Sequence, residues 1–196
     1  MTGPWLVVID PQWIFADPAS DWGSPMWPRA AAQIVRLLPR YRGRTIITRW
    51  TPPRPQARVG SWDAYMRAWP FADRPATDTC FDLVAEFAGV EAEVVAAATF
   101  GKWDVLAPVV GTAPELVIAG VSTDCCVIST ALPAADAGAS IALVTDGCAG
   151  STPDNHAAAM QVMGLYPPQI ELTTASMPQE STVISSCATP LPVCPR

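Results

Sequence analysis

LVIAGVSTDCCVISTALPAADAGASIALVTDGCAG, residues 116–150, is the stretch that decides the fold. It opens with an apolar run, Leu116 to Ala119, of the length and bounds of a buried strand. A glycine-bounded turn over residues 120–124 follows. A helix is predicted over residues 125–137, with Gly138 as its C-terminal stop. A second apolar run, Ile141 to Val144, comes directly after, and a turn is predicted over 146–150. Strand, helix and strand in about 30 residues form a βαβ unit with parallel strands. Cys125 and Cys126 stand at the start of that helix. Unpaired N–H groups and the helix dipole favour thiolate there. Ligands of parallel α/β sheets bind at the carboxyl ends of the strands. A cysteine so placed is a candidate nucleophile; the alternative is a small buried residue of the core.

Working outward, the chain has 196 residues, enough for one domain with a substantial core. Half the residues are hydrophobic and 15% are charged, the composition of a globular protein. Twelve basic residues against 18 acidic ones give a net charge of -6, which argues against nucleic acid or an anionic membrane as partner. No apolar run reaches membrane-spanning length. The first residues, MTGPWLVVID, lack a basic segment and a long apolar core, so no secretory signal is expected and the compartment is read as cytoplasmic. Without that signal, six cysteines do not imply a disulfide scaffold.

Trp5 to Ile9 reads as a buried parallel strand that ends at Asp10 and Pro11. Gln12, Trp13 and Phe15 follow in the first loop. Residues 17–28 are aperiodic loop. A helix is predicted over 28–38, with Ala31, Ile34, Val35 and Leu38 on one face. Thr45 to Thr48 is the second strand, and Arg49 and Trp50 fall in its exit loop. Residues 54–79 read as irregular and carry Trp62, Tyr65, Trp69 and Phe71, candidates for a pocket wall, a lid or an oligomer contact. A short helix is predicted over 81–87 and a strand over 93–97. Lys102 follows that strand between Phe100 and Trp103. A lone lysine is usually solvated, but one between aromatic rings is partly desolvated. Helices over 104–110 and 153–163 and a strand over 170–173 complete the pattern. Beyond Thr174 the composition turns polar and proline-rich, so residues 1–175 are read as the catalytic domain and 176–196 as a tail.

Three strand exits thus offer Asp10, Lys102 and Cys126. Here the chain resembles the isochorismatase-like cysteine hydrolases, which include nicotinamidases and N-carbamoylsarcosine amidases. The matching pieces are VVIDPQWIF, ATFGKWD, and AGVSTDCCV followed by ALPAADAGASIALVTDGCAG. With His156 and Met160 they span about residues 5–174. The resemblance implies a three-layer α/β fold with a central, mainly parallel sheet, and an Asp–Lys–Cys triad. By position, Cys126 would be the nucleophile and Cys125 would line the site. Asp10 would be the base that takes the thiol proton and returns it to the leaving amine. Lys102 would balance the charges and lower the thiol pKa. A cis peptide before Ser122 is implied, with the N–H groups of Ser122 and Cys126 forming an oxyanion hole.

The departures from the family are informative. Metal-binding nicotinamidases carry an aspartate and histidines after the second strand, where this chain reads TRWTPP. Its single histidine, His156, lies far along and is read as a structural helix residue. No metal and no cofactor are therefore expected. True isochorismatases lack the nucleophile and cleave a vinyl ether, whereas Cys126 is present here.

The expected activity is metal-independent hydrolysis of a C–N bond in a small amide or carbamoyl compound. The alternatives are ester or lactam opening on the same triad, and a non-catalytic redox protein using Cys125 and Cys126, a pair whose adjacency strains a disulfide. Gln12, Trp13, Phe15, Arg49, Trp50, Trp62, Tyr65, Trp103 and Cys125 are the candidate substrate contacts, with Arg49 either a partner for a substrate carboxylate or a solvated surface arginine. A homo-oligomer, dimer or tetramer, is expected. Cys148 is read as core, and no role is assigned to Cys80, Cys187 or Cys194.

Overall fold

A computed structural model describes residues 3–176. The tail from Met177 onward, with Cys187 and Cys194, lies outside the described residues. In chain order the elements are β1 (Trp5–Ile9), α1 (Trp13–Ala16), α2 (Trp27–Leu37), β2 (Thr45–Trp50), α3 (Trp62–Ala68), α4 (Ala85–Ala88), β3 (Glu93–Ala97), α5 (Trp103–Val110), β4 (Glu115–Val121), α6 (Ile128–Asp136), β5 (Ser140–Ala149), α7 (Pro153–Met163) and β6 (Ile170–Thr173). The six strands form one parallel sheet in the order β3-β2-β1-β4-β5-β6. Because the central strands are covered on both faces, they read as continuous apolar runs rather than as alternation.

Alternate residues of one strand face opposite cores. Leu6 and Val8 join Ile34, Trp50, Met66 and Phe87 on one side of the sheet. Val7 and Ile9 join Leu106, Val127, Ala134 and Met163 on the other. The order of the strands puts β1 between β2 and β4, so the residues leaving these three strands meet at one edge. The fit of β1 to β4 is close. Ile9 pairs with Gly120, whose φ is +128° and whose added Cβ would stand 2.2 Å from the Ile9 carbonyl oxygen. Only glycine fits there.

Several predicted boundaries are corrected. β2 runs through Arg49 and Trp50, which therefore pair with Ala96 and Ala97 of β3 instead of hanging in a loop. β5 continues through the stretch 146–149 predicted as a turn. Leu143 faces Ile118 while Cys148 faces Gly120, so β5 bulges between the two pairs. The helix predicted over 125–137 begins as a π-turn, Thr123–Val127, and becomes α-helical only at Ile128. The Ser122 carbonyl, just outside the turn, accepts from the Cys125 and Val127 amides at 3.1 Å each. Pro133 within α6 has no N–H to offer the Ser129 carbonyl. Gly101 approaches that same oxygen so closely that a Cβ would stand 2.6 Å from it.

The segment predicted as irregular carries α3, supported by Asp63 in its first turn and the Asp63–Arg67 ion pair, and stopped before Pro70. The single helix predicted over 81–87 is instead two short turns. Asp78 caps a 3₁₀ turn, Thr79–Phe81, by accepting from the Cys80 amide. Leu83 then bridges to Gln12 before α4 begins. Among the described residues no helix is long and apolar enough to cross a membrane.

Candidate active site

Asp10 leaves β1 with φ +46°, a left-handed conformation for a residue with a side chain. Its amide donates to Thr48 Oγ1 at 3.1 Å, and that hydroxyl donates to Asp10 Oδ1 at 2.6 Å. The end of β2 thus fixes one carboxylate oxygen. The other, Oδ2, lies 2.8 Å from Lys102 Nζ, and both side chains are fully buried. The directed hydrogen bonds of Nζ go elsewhere, to the carbonyls of Thr99 at 3.0 Å and Phe100 at 2.8 Å. Asp10 Oδ2 is paired with the ammonium by charge but accepts no directed hydrogen bond among the described residues.

The nucleophile turn is tied to the lysine by a short relay. The Lys102 amide donates to Thr130 Oγ1 at 3.0 Å, whose hydroxyl donates to the Cys126 carbonyl at 2.7 Å. From the other side, Asp124 accepts from the Ser151 amide and hydroxyl at 2.8 and 2.6 Å. His156 Nδ1 lies 2.9 Å from Thr123 Oγ1. His156 thus braces the turn that carries the cysteines. Burial lowers its pKa, with Asp124 opposing. The Val121–Ser122 peptide is cis, as the resemblance implied.

Cys126 is 1% exposed and Cys125 is partly open; both are free thiols. The two thiols shift each other's pKa in opposite senses. Cys125 pushes Cys126 well up, and burial and the Asp10 carboxylate add to the rise. Cys126 pulls Cys125 down. Lys102 does favour thiolate at Cys126, as expected, but these three effects outweigh it. Lys102 thus acts on the thiol in the expected sense, while the net direction at Cys126 is upward. Cys126 rests as a neutral thiol beside a carboxylate.

Aromatic rings stand over this centre. The ring of Phe100, whose carbonyl holds Nζ, packs against both cores. It lies 5.3 Å from Trp62 and 5.5 Å from Tyr65 and stacks on Trp50 at 6.2 Å. Tyr65 is near enough to the thiols that Cys125 and Cys126 add to the effect of burial, and its pKa is pushed up to about 12.

Not every candidate contact joins this group. Gln12 is fully buried, and its amide serves the backbone: Nε2 donates to the carbonyls of Trp50 and Phe81, and Oε1 accepts from the Trp50 amide. Both N–H donors of its amide and one lone pair of its oxygen are thus spent on the backbone. Arg49 donates to the Phe81 carbonyl at 2.8 Å and pairs with Asp82 at 3.7 Å. Trp13 is 44% exposed and borders a separate cavity of about 560 Å³ with Asp17, Arg74 and Cys80. Phe15 and Trp50 are buried behind the ring cluster. Trp103 is half-buried against the core that holds Cys126.

Trp22, Phe100, Thr48 and Thr130 were missed by sequence reasoning. Trp22 is the hub of the ring cluster, 5.4 Å from Trp50 and 6.2 Å from Tyr65. It stands in an aperiodic loop, where no pattern marks it. The place of Phe100 two residues before Lys102 was a usable sign. Among the described residues no group of three or more His, Cys, Asp or Glu could hold a metal ion.

The Isochorismatase domain model matches residues 4–176. Solved structures share the fold. A cysteine hydrolase from Pseudomonas syringae pv. phaseolicola matches with a TM-score of 0.72 at 16% identity, covering 88% of each chain. An isochorismatase-like hydrolase from Alkaliphilus metalliredigens matches at 0.67 and 17%, covering 89% of this chain and 95% of that one. A nicotinamidase from Bacillus subtilis matches at 0.65 and 16%, covering 88% and 99%. Comparison with curated proteins finds no match.

Proposed function

The chain belongs to the isochorismatase family of hydrolases, and from that premise we propose that it cleaves the C–N bond of a small amide or carbamoyl compound through a Cys126 acyl-enzyme, without a metal. The observation that carries this reading is Asp10 Oδ2, buried against Lys102 and accepting no directed hydrogen bond. A neutral Cys126 thiol needs a base at the moment of attack, and this oxygen is the base at hand.

In the proposed sequence Cys126 Sγ attacks the carbonyl carbon while its proton passes to Asp10 Oδ2. The negative charge moves to the carbonyl oxygen, received by the Ser122 and Cys126 amides. Asp10 returns the proton to the leaving nitrogen, and ammonia or an amine departs. Water, deprotonated by Asp10, then attacks the thioester and frees Cys126. Lys102, 2.8 Å from Asp10 Oδ2, offsets the negative charge that develops between sulfur and oxygen. The donor set agrees with metal-free chemistry, since TRWTPP, the end of β2 and its exit, supplies neither histidine nor aspartate.

Ammonia release across a panel of small primary amides and carbamoyl compounds tests the reading. Cys126→Ala should lose activity by more than about a thousand-fold, while Cys125→Ala keeps most of it. Loss confined to Cys125→Ala would move the nucleophile by one residue. Turnover of esters or lactams without ammonia release would replace the amide reading.

A further inference from the structure

Thr123 and Asp124 open the turn that carries the cysteines, and both are held from the corner where β5 passes into α7. Ser151 on that corner holds Asp124 by its amide and its hydroxyl, at 2.8 and 2.6 Å. His156, in the first turn of α7, holds Thr123, whose hydroxyl lies 2.9 Å from Nδ1. Thr123 is fully buried, so water does not stand in for that partner. The ring has little freedom to leave. Thr152 caps the helix from which it projects by accepting from the Asn155 amide at 3.1 Å. The His156 amide donates to the Thr152 carbonyl at 2.9 Å. Gly150 lies so close to its stem that an added Cβ would stand 2.6 Å from His156 Cβ.

His156 makes its hold with a side chain that changes charge near neutrality. With its proton on Nε2 the neutral ring accepts from the Thr123 hydroxyl, whereas the protonated ring only donates at Nδ1. Protonation therefore reverses the bond and sets a charge against a fully buried residue. Burial works against that charge and lowers the His156 pKa from its ordinary 6.5, with the Asp124 carboxylate opposing. Asp124 is the charged group of the turn, and Cys125 and Cys126 are the titratable groups further along it. Gly150 and Ser151, on the β5 exit, carry no charge. On β5 itself, Asp146 accepts from the Ala175 amide and burial pushes the Cys148 thiol up to about 12. Asp154 lies on α7, and Asp136 is exposed at the far end of α6.

Taking Cys126 as the nucleophile, we propose that His156 is a positioning residue for the reaction, holding Thr123 and, through Thr123, the turn that aims Cys126 at the substrate carbonyl. His156 itself touches no reacting atom. The thiol and the amide of Cys126 share the turn, so a shift at Thr123 moves the nucleophile and an oxyanion donor together. The neutral ring is the working form. The rate is therefore lost on the acid side as the ring gains its proton, in a range below 6.5 because burial holds that proton off. The helix role read from the sequence becomes a role in catalysis.

The test uses p-nitrophenyl acetate as probe. Acetylation is timed by p-nitrophenol release, its place is found by mass spectrometry, and rates are taken per folded molecule from circular dichroism at the same pH. Near neutral pH, His156→Leu should slow acetylation of Cys126 about ten- to hundred-fold, and Thr123→Val should match it. The double variant should be no slower than either single one, because both remove one bond. His156→Asn, whose amide places a hydrogen-bonding group near the Nδ1 position without titrating, should keep most of the rate. It should also move the acid-side fall, found in the wild type below pH 6.5, to lower pH. A wild-type rate in His156→Leu, additive losses in the double variant, or an acid-side fall left in place by His156→Asn would overturn the inference. Thr123→Val and His156→Asn decide it where His156→Leu fails to fold.

The position of the label separates this inference from the reading beneath it. Acetyl on Cys125 in place of Cys126, at rates still governed by His156, would sink the Cys126 reading and leave the hold on the turn standing. Acetyl on Cys126 at rates indifferent to His156 would do the reverse. No acetyl on either thiol would overturn both.

Discussion

The triad cradle and the aromatic wall that faces it are made of opposite materials. Asp10 and Lys102 are fully buried and Cys126 nearly so. Their neighbours Thr48, Thr99 and Thr130 hold them by directed hydrogen bonds or paired charge. The wall has ring contacts in place of such bonds, and its rings are partly exposed. The cradle sits on strand ends and the wall on a short helix and loops. On the proposed reading, chemistry that needs one geometry would rest on rigid elements and recognition on loops that tolerate change. Substitutions in the cradle should therefore abolish reaction with every substrate. Substitutions in the wall should only re-rank substrates.

The largest effect that sharpens this contrast is Asp10→Asn, which would remove the proposed base while keeping the side chain's shape. Its kcat/KM should fall by about 10²–10⁴-fold on every substrate turned over. A drop confined to some substrates would place Asp10 in recognition instead. Next is Lys102→Met, which leaves the Asp10 carboxylate buried without its counter-charge. Denaturant unfolding should show a loss of about 3–5 kcal/mol, and an unchanged midpoint would mean that the pair contributes nothing to the cradle.

Trp62→Ala should cost far less, no more than about 1.5 kcal/mol. A loss as large as that of Lys102→Met would make the wall a structural core and dissolve the contrast.

A separate effect is one of pH. Burial pushes Cys148 up to about 12, and burial with the nearby thiols does the same for Tyr65. In the unfolded chain these groups ionise near their ordinary values of 9.0 and 10.0. Above pH 9 the unfolded state therefore holds fewer protons than the folded one, and stability falls as pH rises toward 12. Below pH 9 this contribution is fully present. Cys148→Ala should flatten the fall measured between pH 9 and 11; an unchanged slope would remove Cys148 from the account.

The cradle was legible in the sequence and the wall largely was not, and the reason is physical. Asp10, Lys102 and Cys126 each follow a short apolar run, and parallel strands carry such residues to one edge of the sheet. The β1 and β3 ranges were read as they stand, because both runs are sharply bounded. β2 was read two residues short, since Arg49 and Trp50 look like loop residues beside Pro52. That error hid the clamp that Gln12 places on the Trp50 backbone. Trp22 was invisible, because a ring hub in an aperiodic loop leaves no periodic trace. The bulge in β5 hides within one apolar run. The thiol balance also escaped. The charge of Lys102 is readable as a type of residue, but the depth of burial and the effect of Cys125 are not.

The central claim is that Cys126 is the nucleophile. Its most direct test needs no natural substrate. The protein is exposed briefly to p-nitrophenyl acetate, quenched in acid and digested, and the acetylated residue is located by mass spectrometry. The account predicts acetyl on Cys126 in the wild type and in Cys125→Ala, with none on this turn in Cys126→Ala. Acetyl on Cys125 in the wild type, persisting in Cys126→Ala, would contradict it.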